Sequence, residues 1–273
     1  MTQSDDVRTS EDGAVYVRLN GRLAQFKLPP TREFWEAQWG GLSDDEVAYV
    51  LRRSASMAAQ GAFIRRQIPA HAKVLEAGCG VGLWVRRLQE NGFNAIGLDY
   101  ARATLVRSKR VASDLPLIAG DLRSLPFPNQ TLDAHLSFGV IEHYVDGPAP
   151  ILEEALRVLR PGGKLLASVP QVNVTRKKVT SYSPEAAEAR GYRFHQYYFE
   201  SEELRDLLSD VGFEPIDDIH HYSAYHGLHE NSRLLRWLTR SIPGFNRAGL
   251  LLDFIPGLPR RFGHMMFIVG RKR

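Results

Sequence analysis

Between Ala72 and Pro170 the chain follows a rhythm that narrows the choice of fold more than any other feature of the sequence. KVLEAG, NAIGLD, LPLIAG, TLDAHLSFG and GKLLASVP are apolar runs of strand length. GLWVRRLQENG, ARATLVRSKRVAS and APILEEALRVLR fall between them and place their apolar residues at helical spacing. Gly92 and the Pro161-Gly162-Gly163 turn close the first and last of these helices. Short apolar strands alternating with amphipathic helices predict a parallel sheet covered on both faces. Right-handed crossovers then make the sheet doubly wound, an α/β architecture.

The flanks read differently. Residues 1–13 are polar, charged and aperiodic, the composition of a disordered tail. AVYVRLNGRLAQFKL alternates around Asn20-Gly21, a dipeptide favoured in two-residue hairpin turns because both positions tolerate positive φ. SDDEVAYVLRRSASMAAQGAFIRRQI reads as one helix, with Ser43 as its N-cap and Pro69 as its stop. Residues 1–69 are therefore expected to form a tail, a hairpin and a helical cap, and 70–273 the main domain. Residues 171–198 are polar and long for a connection, which suggests a lid or binding segment. ESEELRDLLSDVG is a predicted helix, FEPIDDIHHY a strand and GHMMFIVGRKR a final strand, with an insertion over 223–261 before it.

Composition excludes several classes. The 273 residues are 44% hydrophobic and 24% charged, enough for one large α/β domain with additions. A net charge of +4 is too mild to indicate a nucleic-acid binder by itself. Cys79 is the one cysteine, so no intrachain disulfide forms and a reducing compartment is expected. The N-terminus has no basic and apolar leader, and no apolar run approaches the roughly 20 residues that span a bilayer. The expectation is a soluble, cytoplasmic protein.

The stretch VLEAGCGVG holds glycines at 78, 80 and 82, spaced G-x-G-x-G, in the first strand–helix turn. In open α/β sheets that is where ligands bind. Leu83 stands where a dinucleotide fingerprint needs Gly or Ala, and no Gly-Lys-Ser/Thr follows for a Walker A loop. Three acids end successive strands: Glu76, Asp99 and Asp121. The second suits a ribose diol, because a carboxylate accepts from both hydroxyls. The third can accept from an exocyclic adenine amine. An acid at the glycine loop repels pyrophosphate and favours a cationic amino group. A ligand with ribose, adenine and an amino acid, but no phosphate, is S-adenosylmethionine. The competing reading of the acids is helix capping at strand–helix turns.

These stretches, with GLDYA, AGDLRSLPFPNQTLDAHLSFGVIEHY, EEALRVLRPGGKLLASVP and FHQYYFESEELRDLLSDVGFEPI, resemble the class I S-adenosylmethionine-dependent methyltransferases. The resemblance covers roughly residues 70–220 and is close to the quinone-biosynthesis type that acts on small molecules. It implies a Rossmann-like, seven-stranded sheet whose last strand is antiparallel. It also implies that Glu76, Gly78, Gly80 and Gly82 line the methionine moiety. Asp99 would hold the ribose, Tyr100 would flank the adenine, and Asp121 and Leu122 would read its edge. Phe138 and Gly139 would border the sulfonium. The product would be S-adenosylhomocysteine.

Methyl transfer from a sulfonium is an in-line displacement, so the chief demand is placement of the nucleophile, with a base helping an oxygen acceptor. His143 in GVIEHY is the candidate base, since a neutral imidazole takes a hydroxyl proton near pH 7. Its bland alternative is packing of the following turn. His195 and Tyr198 in YRFHQYYF are further catalytic candidates on a substrate lid, against core packing of the aromatics. His226-x-x-His229-Glu230 superficially has metal-ligand spacing, but no metal is expected. Cys79 lacks the cationic surroundings of a nucleophile.

The acceptor is expected to be a small molecule or one linked to lipid or saccharide. No Asn/Asp-Pro-Pro-aromatic motif follows the fourth strand, so nucleic-acid bases are not the expected acceptors. Oxygen is the expected acceptor atom. C- or N-methylation is the enzymatic alternative, and a non-catalytic cofactor-binding scaffold is the other. Residues 223–273 carry nine basic residues against two acids. In NSRLLRWLTRSI a helical wheel sets Arg233, Arg236 and Arg240 opposite Leu234, Leu235, Leu238 and Ile242. That pattern raises peripheral contact of 231–259 with the inner membrane surface, against simple docking on the core or a subunit interface. No motif specifies an oligomeric state.

Overall fold

The computed structural model describes residues 13–28, 41–52, 58–179, 182–216, 219–230, 232–242 and 249–273. Nearly all of the expected N-terminal tail lies outside them, as do residues 53–57 of the long helix expected over 43–68. On either side of 53–57 stand α1 (Asp44–Arg52) and α2 (Ala58–Gln67). Ser43 begins α1 with a capping box: its Oγ accepts from the Glu46 N–H at 3.2 Å, and the Glu46 carboxylate accepts from the Ser43 N–H at 2.7 Å.

The N-terminal hairpin pairs β1 (Val15–Leu19) with β2 (Arg22–Lys27). Asn20 and Gly21 at its turn have φ of 51° and 81°, the double positive that a type I′ turn requires. The hairpin is not isolated. β8 (Arg193–Tyr198) adds to β2 as an antiparallel third strand, with Leu23 opposite Tyr198 and Lys27 opposite Arg193. The segment expected as a lid therefore holds a 3₁₀ turn at Arg176–Lys178, a short helix α6 (Pro184–Ala189) and then β8.

The main sheet contains β3 (Lys73–Ala77), β4 (Asn94–Asp99), β5 (Leu117–Ala119), β6 (Leu132–Phe138), β7 (Leu159–Pro170), β9 (Phe213–Pro215), β10 (His220–Tyr222) and β11 (Met265–Lys272). Its order is β10-β11-β7-β6-β3-β4-β5, with β9 also on β11. β3 to β7 pair in parallel and β11 runs antiparallel to β7. This is the doubly wound, seven-position sheet expected from the strand–helix rhythm. One strand expected over FEPIDDIHHY is divided. Its two ends form β9 and β10, both antiparallel to β11, with Pro215 opposite Gly270 and His220 opposite Phe267; residues 217 and 218 lie outside the described residues.

Period-two alternation sends side chains to two cores. Leu75, Leu165, Ala167 and Val169 meet α5 (Ala149–Val158), α7 (Ser201–Val211) and the hairpin. Val74, Leu136 and Leu166 meet α1, α2, α3 (Leu83–Glu90) and α4 (Arg102–Val111). Each fully buried Leu contributes about 2 kcal/mol, so the helices are fixed by packing more than by propensity. The fixed sheet brings the carboxyl ends of β3, β4, β5 and β6 to one edge.

Candidate functional site

That edge opens into a cavity of about 580 Å³ lined by Glu76, Gly78, Cys79, Gly80, Asp99, Tyr100, Asp121, Leu122, Phe138, Gly139 and His143, among others. It falls within the size of an ordinary small-ligand site. β6 lies on the other side of β3 from β4, so the cavity straddles the point where strand order reverses. Nine of the ten residues expected to hold a cofactor line it. The tenth, Gly82, sits just behind as the N-terminal flank of α3 with φ 84°.

The glycine loop is shaped by backbone demands. Gly78, Gly80 and Gly82 all have positive φ, at 80°, 51° and 84°. A Cβ on Gly78 would also lie 2.5 Å from Cγ2 of Val140. Gly78 and Cys79 direct their N–H groups to the Leu98 carbonyl at 2.8 and 3.1 Å, which pins the loop to the end of β4.

The acids combine both readings of the sequence. One Glu76 oxygen accepts from the Val85 N–H in the first turn of α3 at 2.9 Å. Asp99 accepts from Gly80 N–H at 2.8 Å and from Ala101 N–H at 2.9 Å. A carboxylate has about four acceptor sites, so two remain for a diol. Asp121 lies at the rim, where the Arg123 guanidinium holds its carboxyl below the usual carboxylate range. Burial pushes the Glu76 carboxyl well up, and the neighbouring Asp99 charge adds to the shift. A buried carboxyl disfavoured in its charged form is the partner that a cationic ligand relieves. The donor set thus fits S-adenosylmethionine: acceptors only, a glycine cradle, and no cationic side chain deep in the loop.

The opposite wall begins at the end of β6. A 3₁₀ turn, Ile141–His143, places the His143 ring on the cavity. Its Nδ1 lies 2.7 Å from the His195 carbonyl, which can only accept, so Nδ1 carries the proton. Burial pushes the His143 pKa down to about 4, so the ring is neutral near pH 7. Glu142 next to it is buried, and burial raises its carboxyl to about 8. Its Oε2 finds no hydrogen-bond partner among the described residues.

The other two catalytic candidates sit elsewhere. His195 offers His143 its carbonyl and packs its ring edge-on at 5.1 Å, but does not line the cavity. Tyr198 is buried under the Arg176 guanidinium, whose carbon is 4.3 Å from the ring centroid, and it borders a different cavity of about 460 Å³. Burial explains both placements: β8 is a strand of the small sheet, and its aromatics are core. Cys79 is also buried, and burial raises its thiol well above the ordinary range. Among the described residues no cluster of three or more His, Cys, Asp or Glu could hold a metal ion.

Val50, Trp84, Arg123 and Tyr144 line the cavity without having been singled out. Trp84 and Tyr144 were within reach of sequence reasoning, being the first aromatics after the glycine loop and after His143. Val50 was not, because α1 reaches the cavity only through tertiary packing.

Comparison with known proteins agrees with this geometry. Residues 75–167 match a family described as a methyltransferase domain. A probable S-adenosylmethionine-dependent methyltransferase of Mycolicibacterium smegmatis is 34% identical over 155 residues, 56% of this chain and 55% of that protein. The demethylmenaquinone methyltransferase of Renibacterium salmoninarum is 33% identical over 161 residues, 53% of this chain and 67% of that protein. The match thus spans about half the length of the first of these curated relatives. Among solved structures, the Burkholderia thailandensis 1,6-didemethyltoxoflavin-N1-methyltransferase with bound S-adenosylhomocysteine shares the fold, with a TM-score of 0.53 and 19% identity over 93% of this chain and 96% of that one. So does the [4+2]-cyclase SpnF, with a TM-score of 0.54 and 20% identity over 81% and 84% of the two chains.

Proposed function

The chain belongs to the S-adenosylmethionine-dependent methyltransferases, and from that premise we propose that it methylates an oxygen of a small acceptor, free or carried on a lipid or saccharide. The observation that carries this reading is a single cavity with the glycine loop and three strand-tip acids on one wall and a neutral histidine on the other. When bound, S-adenosylmethionine supplies an electrophilic methyl group and leaves as S-adenosylhomocysteine. Glu76 would hold its amino group, Asp99 its ribose, and Asp121 and Leu122 its adenine edge. Tyr100 would flank the base, and Phe138 and Gly139 would border the sulfonium.

His143 would take the proton that the acceptor hydroxyl loses as its oxygen gains the methyl. The Nδ1–H bond to His195 fixes the ring and leaves Nε2 as the basic nitrogen. A base of low pKa contributes mainly by position: it accepts the proton where it is released and passes it to solvent. His195 acts through its carbonyl, as a positioning group. The apolar and aromatic part of the lining, Val50, Trp84, Phe138 and Tyr144, excludes water from the reacting atoms.

Calorimetry with S-adenosylhomocysteine tests the premise for the whole chain, and absence of binding sinks it. His143→Ala tests the base: product binding is expected to be unchanged, and turnover of a panel of hydroxylated small acceptors to fall about a hundredfold. The neutral ring is required, so activity should be lost only as pH falls through about 4, with no His143 limb between 5 and 7. Full turnover by the alanine variant removes His143 from the chemistry. The cyclase neighbour gives a reason to run this test, since the same fold hosts other reactions.

A further inference from the structure

The chain leaves the sheet after Tyr222 and returns to it at Met265. Between them lie α8 (Ala224–His229), α9 (Arg233–Ser241), a 3₁₀ segment (Leu250–Phe254) and α10 (Leu258–Phe262). α9 is docked on one side: the Thr239 hydroxyl hydrogen-bonds the hydroxyl of Tyr225, which is itself buried. Leu234 is 63% exposed and Trp237 60%, while Leu235 and Leu238 are half-buried. Further along, Leu251 is 65% exposed and Phe254 78%, and Ile242 and Ile255 are also exposed. Six of the eleven large exposed apolar residues among those described fall in this one insertion. Such a concentration marks an interaction surface rather than scattered surface residues.

Charge identifies the partner. Residues 231–261 hold six arginines, at 233, 236, 240, 247, 260 and 261, and a single acid. That acid, Asp253, is engaged within the fold: its carboxylate accepts from the Ser223 N–H at 2.9 Å and the Ala224 N–H at 2.6 Å. Arginines 233, 236 and 240 recur at the i, i+3, i+7 spacing of a helix. A second copy of the chain would bring like charges together across an apolar contact. A layer of phosphate headgroups over acyl chains answers both features at once. No described helix is long and apolar enough to cross a membrane.

We propose that the insertion docks the protein on an anionic phospholipid bilayer, with Leu234, Trp237, Ile242, Leu251, Phe254 and Ile255 entering the headgroup layer. The proposal is independent of the methyl-transfer reading, because binding to lipid requires no cofactor.

The test is sedimentation of the full chain with vesicles of phosphatidylcholine alone and of phosphatidylcholine mixed with phosphatidylglycerol, at low and high salt. The expected result is binding to the mixed vesicles only, weakened by salt. Arg233→Gln, Arg236→Gln and Arg240→Gln together should weaken it about a hundredfold. Trp237→Asp with Phe254→Asp should weaken it at least about tenfold. Both variants should keep wild-type affinity for S-adenosylhomocysteine, which shows that the fold is intact. Failure to bind the mixed vesicles overturns the proposal. So does salt-independent binding to both vesicle types, or wild-type vesicle binding by both variants. A dimer that the Trp237→Asp, Phe254→Asp variant dissolves, with no vesicle binding, assigns the surface to a second copy instead.

Discussion

Residues 73–170 and residues 171–264 are built on different principles. In the first region the side chains that line the cavity sit at strand tips, in the segments that follow them, or in the first turn of α3. Asp99 finds its partners at Gly80 and Ala101, and Glu76 finds its own at Val85. In the second region the organising group is Arg176, 1% exposed, on a 3₁₀ turn. It donates to the carbonyl of Gln171 at 2.7 Å and to that of His264 at 3.0 Å, and to both oxygens of Glu230 at 3.0 and 2.8 Å. Two of those three partners lie 54 and 88 residues away. The first region makes a site from local chemistry on a rigid sheet. The second ties a connection to an insertion by one buried ion cluster. Loss of a single residue should therefore act differently in the two.

The largest expected effect is on stability, in the second region. Arg176→Met removes a buried guanidinium and leaves the half-buried Glu230 carboxylate with its His264 contact, a loss expected at about 3 kcal/mol. Urea unfolding is expected to show that loss while affinity for S-adenosylhomocysteine stays near wild type. If affinity falls in step with stability, the two regions are one cooperative unit and the comparison fails. Gly78→Ala is the converse in the first region. The new Cβ meets Val140 at a φ of 80°, so the loop must shift. The strain costs about 1–3 kcal/mol, and ligand affinity should drop about a hundredfold because the backbone no longer approaches closely. Asp99→Asn is milder. It removes a charged acceptor from two backbone N–H groups and from the ribose, a loss of about 2 kcal/mol, or roughly thirtyfold in affinity by calorimetry.

The same contrast explains what could be read from the chain. The sheet, its winding and the hairpin follow from local periodicity and from Asn20-Gly21. The cofactor wall follows because acids and glycines at strand ends have few other uses. The pairing of both β9 and β10 with β11 has no such signal, since the partner strand lies about fifty residues further along the chain. Tyr198 and His195 look like lid residues because a polar, aromatic stretch after a strand resembles one. Tyr198 meets Leu23 of β2 and Arg176, and His195 meets His143, and no motif in the stretch itself signals these neighbours. Arg176 itself is one of three consecutive basic residues, Arg176-Lys177-Lys178, a pattern that ordinarily faces solvent.

The smallest expected effect is on pH dependence, and it tests the electrostatic logic of the first region most directly. Burial raises the Glu76 carboxyl well above its ordinary value, and the charge of Asp99 raises it further. An acid with a raised folded-state pKa costs nothing while it is protonated in both states, below the ordinary carboxylate range. Above that range the unfolded state ionises first, so stability falls as pH rises toward the folded-state value. A ligand carrying an ammonium and a sulfonium favours the ionised carboxylate, so its binding expels the proton. Affinity for S-adenosylmethionine should then rise with pH, by up to about tenfold per unit, until Glu76 ionises unaided. The ligand-induced increase in melting temperature should widen over the same range. Glu76→Gln should flatten both profiles and cost only about tenfold in affinity at neutral pH. Glu142 is another buried acid beside the cavity whose carboxyl is raised, to about 8, so the measurement is repeated in Glu142→Gln. A slope that survives Glu76→Gln but disappears with Glu142→Gln would move the cation-sensing role from the glycine loop to the far wall. Parallel profiles in all three proteins would mean that neither carboxyl senses the ligand's charge.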